Sequence, residues 1–481
     1  MSSGTRTATG RGGWLFASLL ISYCAIYAIF YPQTYSIFDE SYILTLAYSI
    51  AHGTIYPDHA GPDSGLLIGA HEVAVYSPFH AAMLAPAFAF DWRVAFLVTG
   101  SFFVLGAFIL RNLLLRSGLS PDWSVLYFLL AGPLYYSQTL MAAVPAAVMS
   151  LWAIAMLLRP DPRPFLGGLA FGASVLLHPW MAPMAVVFSA VWCLERAPLQ
   201  LARNADWIAM GAFPSVAALA GYNYLTTGNP FVNAYTILRH QYSFVGAHFF
   251  SFFPFYLASL AVFPLGGWAI FSRRWSQCYA LPITAAVMVL LASLYYFRDG
   301  LNVGSAQVGT MLGVLAGIVP GQRFLLPVSM IACVPAARFL DPRLHEMSPA
   351  IRRALRPFAL AAFALGFVIL SAAHQAYLGA HAKVQRALLA RISANAQVVV
   401  GEDLRKEMAP VRVVYSDVRE AGAEADPPAA AYVAWLGAPG ALPPKGWFEG
   451  RREELVTVRS WVWNRDLWVG DPIARAASAA R

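Results

Sequence analysis

"YSIFDESYIL", residues 35–44, places two adjacent carboxylates, Asp39 and Glu40, just past an apolar run that covers residues 14–31. In a chain with only 12% charged residues, the meaning of that pair depends on whether the run before it crosses a membrane. Composition answers this. Of 481 residues, 58% are hydrophobic and 14% aromatic, far beyond what a soluble core requires. The chain reads as a mainly α, polytopic membrane protein, and the pair reads as the start of its first outside loop.

Apolar runs suited to crossing a bilayer, about 17 to 22 residues in most cases, fall at 14–31, 93–115, 122–140, 142–158, 165–180, 181–194, 206–223, 251–271, 278–297, 323–340 and 357–378. That makes eleven transmembrane helices. The short runs 165–180 and 181–194 meet at "HPWMAP", a proline-containing turn suited to a tight helical hairpin. With the amino terminus in the cytoplasm, the inside loops carry Arg6 and Arg11, Arg111 and Arg116, Arg159 and Arg163, Arg196 and Arg203, and Arg273 and Arg274. The last carries Arg338, Arg343, Arg352, Arg353 and Arg356. The loop 32–77 has no Lys or Arg, and the other short outside loops hold only the isolated Arg239, Arg298 and Arg323. This is the asymmetry of the positive-inside rule, and it also accounts for the net charge of +8. Arginines gathered in short loops between the apolar runs, with no basic face of interleaved aromatics anywhere in the chain, argue against nucleic acid as a partner. The run 14–31 lacks a small-residue cleavage site and reads as a retained signal anchor. Cys24, Cys193, Cys278 and Cys333 all lie in apolar segments without metal-ligand spacing, which predicts small buried side chains rather than disulfides or a metal site.

The first outside region, 32–91, is long for a loop, which marks it as functional. Within it, "SPFHAAMLAPAFAF" (77–90) is too short to span and predicts a helix at the outer interface. The transmembrane domain is expected to cover 1–379. From 380 to 481 charge density rises, and "AQVVV", "VRVVYSD", "AAYVAWL" and "ELVTVRSWVW" have the pattern of strands, so a small α/β domain outside the membrane is expected.

Asp39 and Glu40 precede the apolar "SYILTLAYSIA" and so should open a helix, where the dipole favours carboxylates. Adjacent residues point in different directions, so one can act while the other supports it. Arg323 in "GQRFLLP" and Arg298 after "LYYF" stand at outer helix ends, either as interface anchors or as forks for a phosphate. His178 in "LLHPW" reads as a hydrogen-bonded structural histidine. His52, His59, His71 and Glu72 match no standard metal-ligand set, so no cofactor is expected to be required, with a divalent metal the lesser alternative. Phosphate-cradling, dinucleotide, HExxH and GxSxG motifs are all absent. An outside-facing site has no soluble nucleotide, so any donor must be carried across on lipid.

"FDESYILTLAYSIAHGTIYPD" (38–58), "VYSPFHAAMLAPAFAFDWRVAFLVTG" (75–100), "GYNYLTTGNPFVNAY" (221–235) and "GQRFLLP" (321–327) occur in an order that resembles the GT-C superfamily of integral membrane glycosyltransferases. The likeness is to the branches of aminoarabinose transferases, protein O-mannosyltransferases and rhizobial-type glycosyltransferases, over roughly residues 14–378. The resemblance implies a sugar donor on polyprenyl phosphate, an acceptor outside the cytoplasm (glycan, lipid or protein), and inverting transfer in a plasma membrane, bacterial inner membrane included. It implies an acceptor base at Asp39, with Glu40 as neighbour or substitute, and a donor-phosphate contact at Arg323, with Arg298 a second candidate. Asp58, His59, Glu72 and Tyr76 in the first loop, and Tyr222, Asn223, Arg239 and His240 further on, are candidate substrate contacts. Where some relatives place Glu-Lys before Pro-Pro, this chain has Val75, Tyr76, Ser77 and Pro78, which removes a metal ligand and a phosphate contact. A non-catalytic transporter or lipid-binding scaffold, and a ligase or polymerase of lipid-linked glycans, are the alternatives. Against a transporter stands the lack of half-to-half symmetry.

Overall fold

Apolar runs become helices, and prolines decide where they stop. The computed structural model describes residues 13–35, 38–56, 65–68, 71–74, 77–196, 198–233, 249–262, 264–294, 322–392, 397–400, 417–420, 429, 431–443, 446–459 and 465–473. The chain divides into two compact units. One comprises Met1–Ile29, Leu97–Val232 and Thr236–Leu370, the other Phe30–Phe96, Asn233–Tyr235 and Ser371–Arg481.

In the first unit, helices Trp14–Ile29, Ala143–Leu157, Pro164–Leu177, Ala182–Leu194, Pro198–Thr227, Ala280–Leu294 and Leu326–Glu346 fall on the predicted runs. Two runs do not form one helix. Run 122–140 splits into Pro121–Ser124, Val125–Phe128 and Ala131–Tyr136, with the break at Leu129 and Leu130. Pro133 explains this, because its ring clashes with the carbonyl four residues earlier, that of Leu129. Run 251–271 ends as a helix at Val262, just ahead of Pro264, and resumes as the short turn Gly267–Phe271. Among the described residues, Trp92–Arg116, Gln322–Glu346 and Pro349–Leu388 are long and apolar enough to cross a bilayer. Trp14–Ile29, Ala143–Leu157, Pro164–Leu177, Pro179–Leu194 and Ala280–Leu294 are equally apolar but span 10–17 residues.

An aromatic stack fills part of this unit. Phe103 lies 4.4 Å from the Tyr23 ring and 4.8 Å from Tyr127, and Tyr23 stacks on Phe367 at 5.3 Å. Cys193 and Cys333 are buried as expected, but Cys24 is exposed, because helix Trp14–Ile29 packs through Leu15, Phe16, Leu19, Tyr23, Ile26 and Tyr27 and turns Cys24 away.

The "HPWMAP" turn forms as predicted. The helix ends at His178, whose Nδ1 accepts from the Trp180 N–H at 3.3 Å. The tightest packing of Pro164–Leu177, however, is with Pro198–Thr227. A Cβ on Gly168 would sit 2.0 Å from the Ile208 carbonyl oxygen, and one on Gly211 would sit 2.1 Å from that of Phe165. Small residues spaced for close backbone contact are the means by which helices associate in lipid. Ser174 adds a hydrogen bond to the Ala146 carbonyl at 2.8 Å. Gly168→Ala is expected to destabilise the protein by about 1–3 kcal/mol. Gly221→Ala on the partner helix, where a Cβ meets open space, should leave thermal unfolding in detergent unchanged or raised. Equal midpoints for the wild type and Gly168→Ala would contradict the close crossing.

The second unit joins the first outside loop to the C-terminal segment. Helix Phe38–Ala51 packs on helix Pro78–Leu84 and the turn Ala85–Ala89, so "SPFHAAMLAPAFAF" is helical but short, as expected. The loop also contains a hairpin that the sequence pattern does not announce, β1 (Gly65–Ile68) and β2 (His71–Ala74), closed between Ile68 and His71.

The C-terminal strands are β3 (Gln397–Val400), β4 (Asp417–Glu420), β5 (Tyr432–Gly437), β6 (Glu453–Val458) and β7 (Arg465–Gly470). They form one sheet in the order β4-β3-β5-β7-β6, parallel at β3–β4 and β3–β5 and antiparallel elsewhere. Helix Pro349–Arg391 supplies Ala380, Val384 and Leu388 to a core with Val398, Leu436 and Leu467. Trp447 packs with Val399 and Val433 in a separate cluster, as expected where successive strand residues face opposite sides. Arg391 ties this helix to Asp471 at 2.9 Å and pairs with Glu454. The Gly440 N–H donates to Asp466 at 2.7 Å and Arg459 pairs with it at 2.8 Å, which together hold that carboxyl below the ordinary aspartate range.

Candidate functional site

Asp39 and Glu40 both lie in the first turn of helix Phe38–Ala51, as the sequence predicts. Successive helical residues project about 100° apart, and burial separates the two. Glu40 is 1% exposed, whereas Asp39 is half-buried. Of the two carboxylates, Asp39 is therefore the more accessible.

The segment leading to Asp39 is held from several directions within the second unit. Gln375 donates to the Phe30 carbonyl at 2.7 Å, and the Thr34 hydroxyl donates to Gln385 at 2.8 Å. The Tyr31 hydroxyl donates to the Arg93 carbonyl at 2.6 Å, while Arg93 returns a bond to the Gln33 carbonyl at 2.9 Å. These bonds fix the approach of the chain to the helix start. Buried polar side chains recur in this unit, with His80 at 1%, His374 at 5% and His381 at 1% exposure.

Arg323 belongs to the first unit, in the 3₁₀ turn Gln322–Leu325 that opens helix Leu326–Glu346. This turn is clamped by groups from distant parts of the sequence. The buried Gln322 amide accepts from the Gly132 N–H at 3.0 Å and donates to the Ser259 hydroxyl at 2.9 Å. The Trp180 indole donates to the Phe324 carbonyl at 3.2 Å and its ring packs edge-on at 4.9 Å. Half-buried Arg323 lies over the Phe324 ring at 4.8 Å and interacts electrostatically with Tyr256.

Asn223 acts locally, its amide donating to the Pro230 carbonyl at 3.1 Å. Together with Thr227, which bonds the Asn223 and Val232 carbonyls, it closes the turn at Gly228, where φ is +75°. Tyr222 lies half-buried on the same helix. Glu72 occupies a β2 register position opposite Leu67. Asp58, His59, Tyr76, Arg239, His240 and Arg298 lie outside the described residues. Among the described residues no group of three or more His, Cys, Asp or Glu side chains is placed to hold a metal ion. Gly132, Ser259 and Trp180, which hold the turn that carries Arg323, are not evident from the sequence. Only "GQRF" itself carries a signal, since the others lie far away along the chain.

No family model matches the chain, and no curated protein matches it. Solved structures do. The crystal structure of ArnT from Cupriavidus metallidurans bound to undecaprenyl phosphate aligns over 96% of this chain and 98% of its own, with a TM-score of 0.57 and 14% identity. The apo state of the same protein aligns over 95% and 98%, with a TM-score of 0.55 and 13% identity. The fold is thus similar to that of ArnT along nearly the whole length of both chains, as the GT-C resemblance implies.

Proposed function

We propose that this protein is a glycosyltransferase of the plasma membrane that moves a sugar from a polyprenyl-phosphate donor to an acceptor outside the cytoplasm. The observation that carries this reading is the full-length likeness in fold to a protein whose crystal structure contains undecaprenyl phosphate. To the two roles such a reaction needs we assign Asp39, half-buried in its own unit, and Arg323, on the clamped turn of the other. Asp39 takes the proton of an acceptor hydroxyl as its oxygen bonds to the anomeric carbon. The bond from that carbon to the phosphate oxygen breaks, the electron pair leaves with the phosphate, and Arg323 stabilises the growing charge. Direct displacement inverts the anomeric configuration. Glu40, buried beside Asp39, supports its helix start. The protein's own residues carry these steps without a cofactor, and the arginine-poor loops, including 32–77, face away from the cytoplasm.

The test is transfer by the purified protein in liposomes, given polyprenyl phosphate carrying a labelled sugar together with envelope extract. Label should pass to an acceptor with inverted configuration while free polyprenyl phosphate accumulates. Label that stays on the donor, or transfer with retained configuration, refutes the reading.

A further inference from the structure

A cavity of about 690 Å³ lies in the first unit at the ends of helices Pro164–Leu177 and Pro198–Thr227, beside segments that carry none of the transfer residues. Its polar wall is Arg163, Arg196, Gln200, Arg203 and Asn204, and its apolar wall includes Phe165 and Trp207, which meet edge-on at 6.3 Å. The walls are firm, because the two helices that carry them are locked together at Gly168 and Gly211, one turn inside. Arg196 is braced over the buried Trp192 ring at 4.7 Å. Among the described residues, no ion pair neutralises Arg163, Arg196 or Arg203. The neighbouring carboxylate of Glu195 is engaged elsewhere, accepting from the Tyr279 and Ala280 N–H groups. Arg159 and Arg163 also bear on Arg116, so the positive field extends beyond the cavity. Asp161 and Asp206 stand close by in sequence but pair with none of the three among the described residues, so three guanidinium groups lining one cavity, next to the first turn of a helix, suit phosphate oxygens.

The surroundings identify the source of the phosphate. Phe165, Trp207, Met210 and Phe213 are 40%, 42%, 56% and 68% exposed, and the last three continue from the cavity along one helix. A soluble anion has no use for that flank, whereas acyl chains do. We propose that the cavity binds the headgroup of an anionic phospholipid in the leaflet facing these arginine loops. The dianionic diphosphatidylglycerol is preferred, since it offers two phosphates to three arginines. This is a lipid site separate from the transfer reaction and does not depend on that reaction being correct.

The experiment is native mass spectrometry of the full-length protein from detergent. Diphosphatidylglycerol, phosphatidylglycerol and phosphatidylcholine are titrated separately, with inorganic phosphate as competitor. Diphosphatidylglycerol should be retained most tightly, and inorganic phosphate should fail to displace it. Arg203→Gln, a change at an exposed position, should weaken retention about fivefold, and the triple change of Arg163, Arg196 and Arg203 to Gln about a hundredfold. Arg203→Lys should keep most of the affinity. Equal retention of phosphatidylcholine, wild-type affinity in Arg203→Gln, or ready displacement by inorganic phosphate each overturns the proposal. The readout is lipid retention, so a failure here is distinct from a failure of sugar transfer.

Discussion

Asp39→Asn is expected to lower sugar transfer by about 10²- to 10⁴-fold, the range spanned by removing a positioned general base. Asparagine keeps the shape of the side chain and its ability to start a helix, so the variant should elute and melt like the wild type. The loss should fall on turnover, with donor binding intact, because the proton moves only during reaction. Glu40→Gln provides the contrast. Its side chain is 1% exposed, so its replacement should act on folding, at a cost of about 1–3 kcal/mol. An Asp39→Asn protein with full turnover would remove Asp39 from the chemistry, and a Glu40→Gln protein that folds normally but does not turn over would exchange the two roles.

The second large effect concerns the leaving group. Arg323→Ala should reduce turnover by about 10²- to 10³-fold, as when one preorganised charge stabiliser is lost. Arg323→Lys should recover part of it, since an ammonium supplies charge without the planar fork. The surrounding clamp from Gly132, Ser259 and Trp180 does not use the guanidinium, so the turn should survive both changes. A snorkelling anchor behaves differently: its removal lowers thermal stability and leaves the rate per folded molecule alone. Measuring turnover and melting temperature on the same preparations separates the two roles open to this position.

Much of the helical architecture is legible in the sequence, because apolar length and proline position act locally. The breaks at Pro133 and Pro264 are legible in principle as well, yet the runs around them are apolar enough to hide them. Strands are harder. β5 and β6 show as β-branched and aromatic runs, but β7, "RDLWVG", is short, carries two charges, and becomes a strand through pairing on both sides with β5 and β6. Hairpin β1–β2 is likewise four residues per strand, too brief for its alternation to stand out. The candidate site divides in the same way. The Asp39–Glu40 pair is visible as a charge anomaly, but which of the two is accessible depends on packing from Pro78–Leu84 and other remote segments. The Gln322 clamp joins residues 63 and 190 positions apart, a relation no local pattern encodes.

The crossing at Gly168 and Gly211 has a genetic corollary. Any missense change in a glycine codon adds a Cβ, and at these two positions that carbon collides with a neighbouring carbonyl rather than with a side chain that can swing away. Random mutagenesis followed by selection for a working gene should therefore leave codons 168 and 211 almost unvaried, while codon 221, a few turns along the same helix as 211, drifts freely.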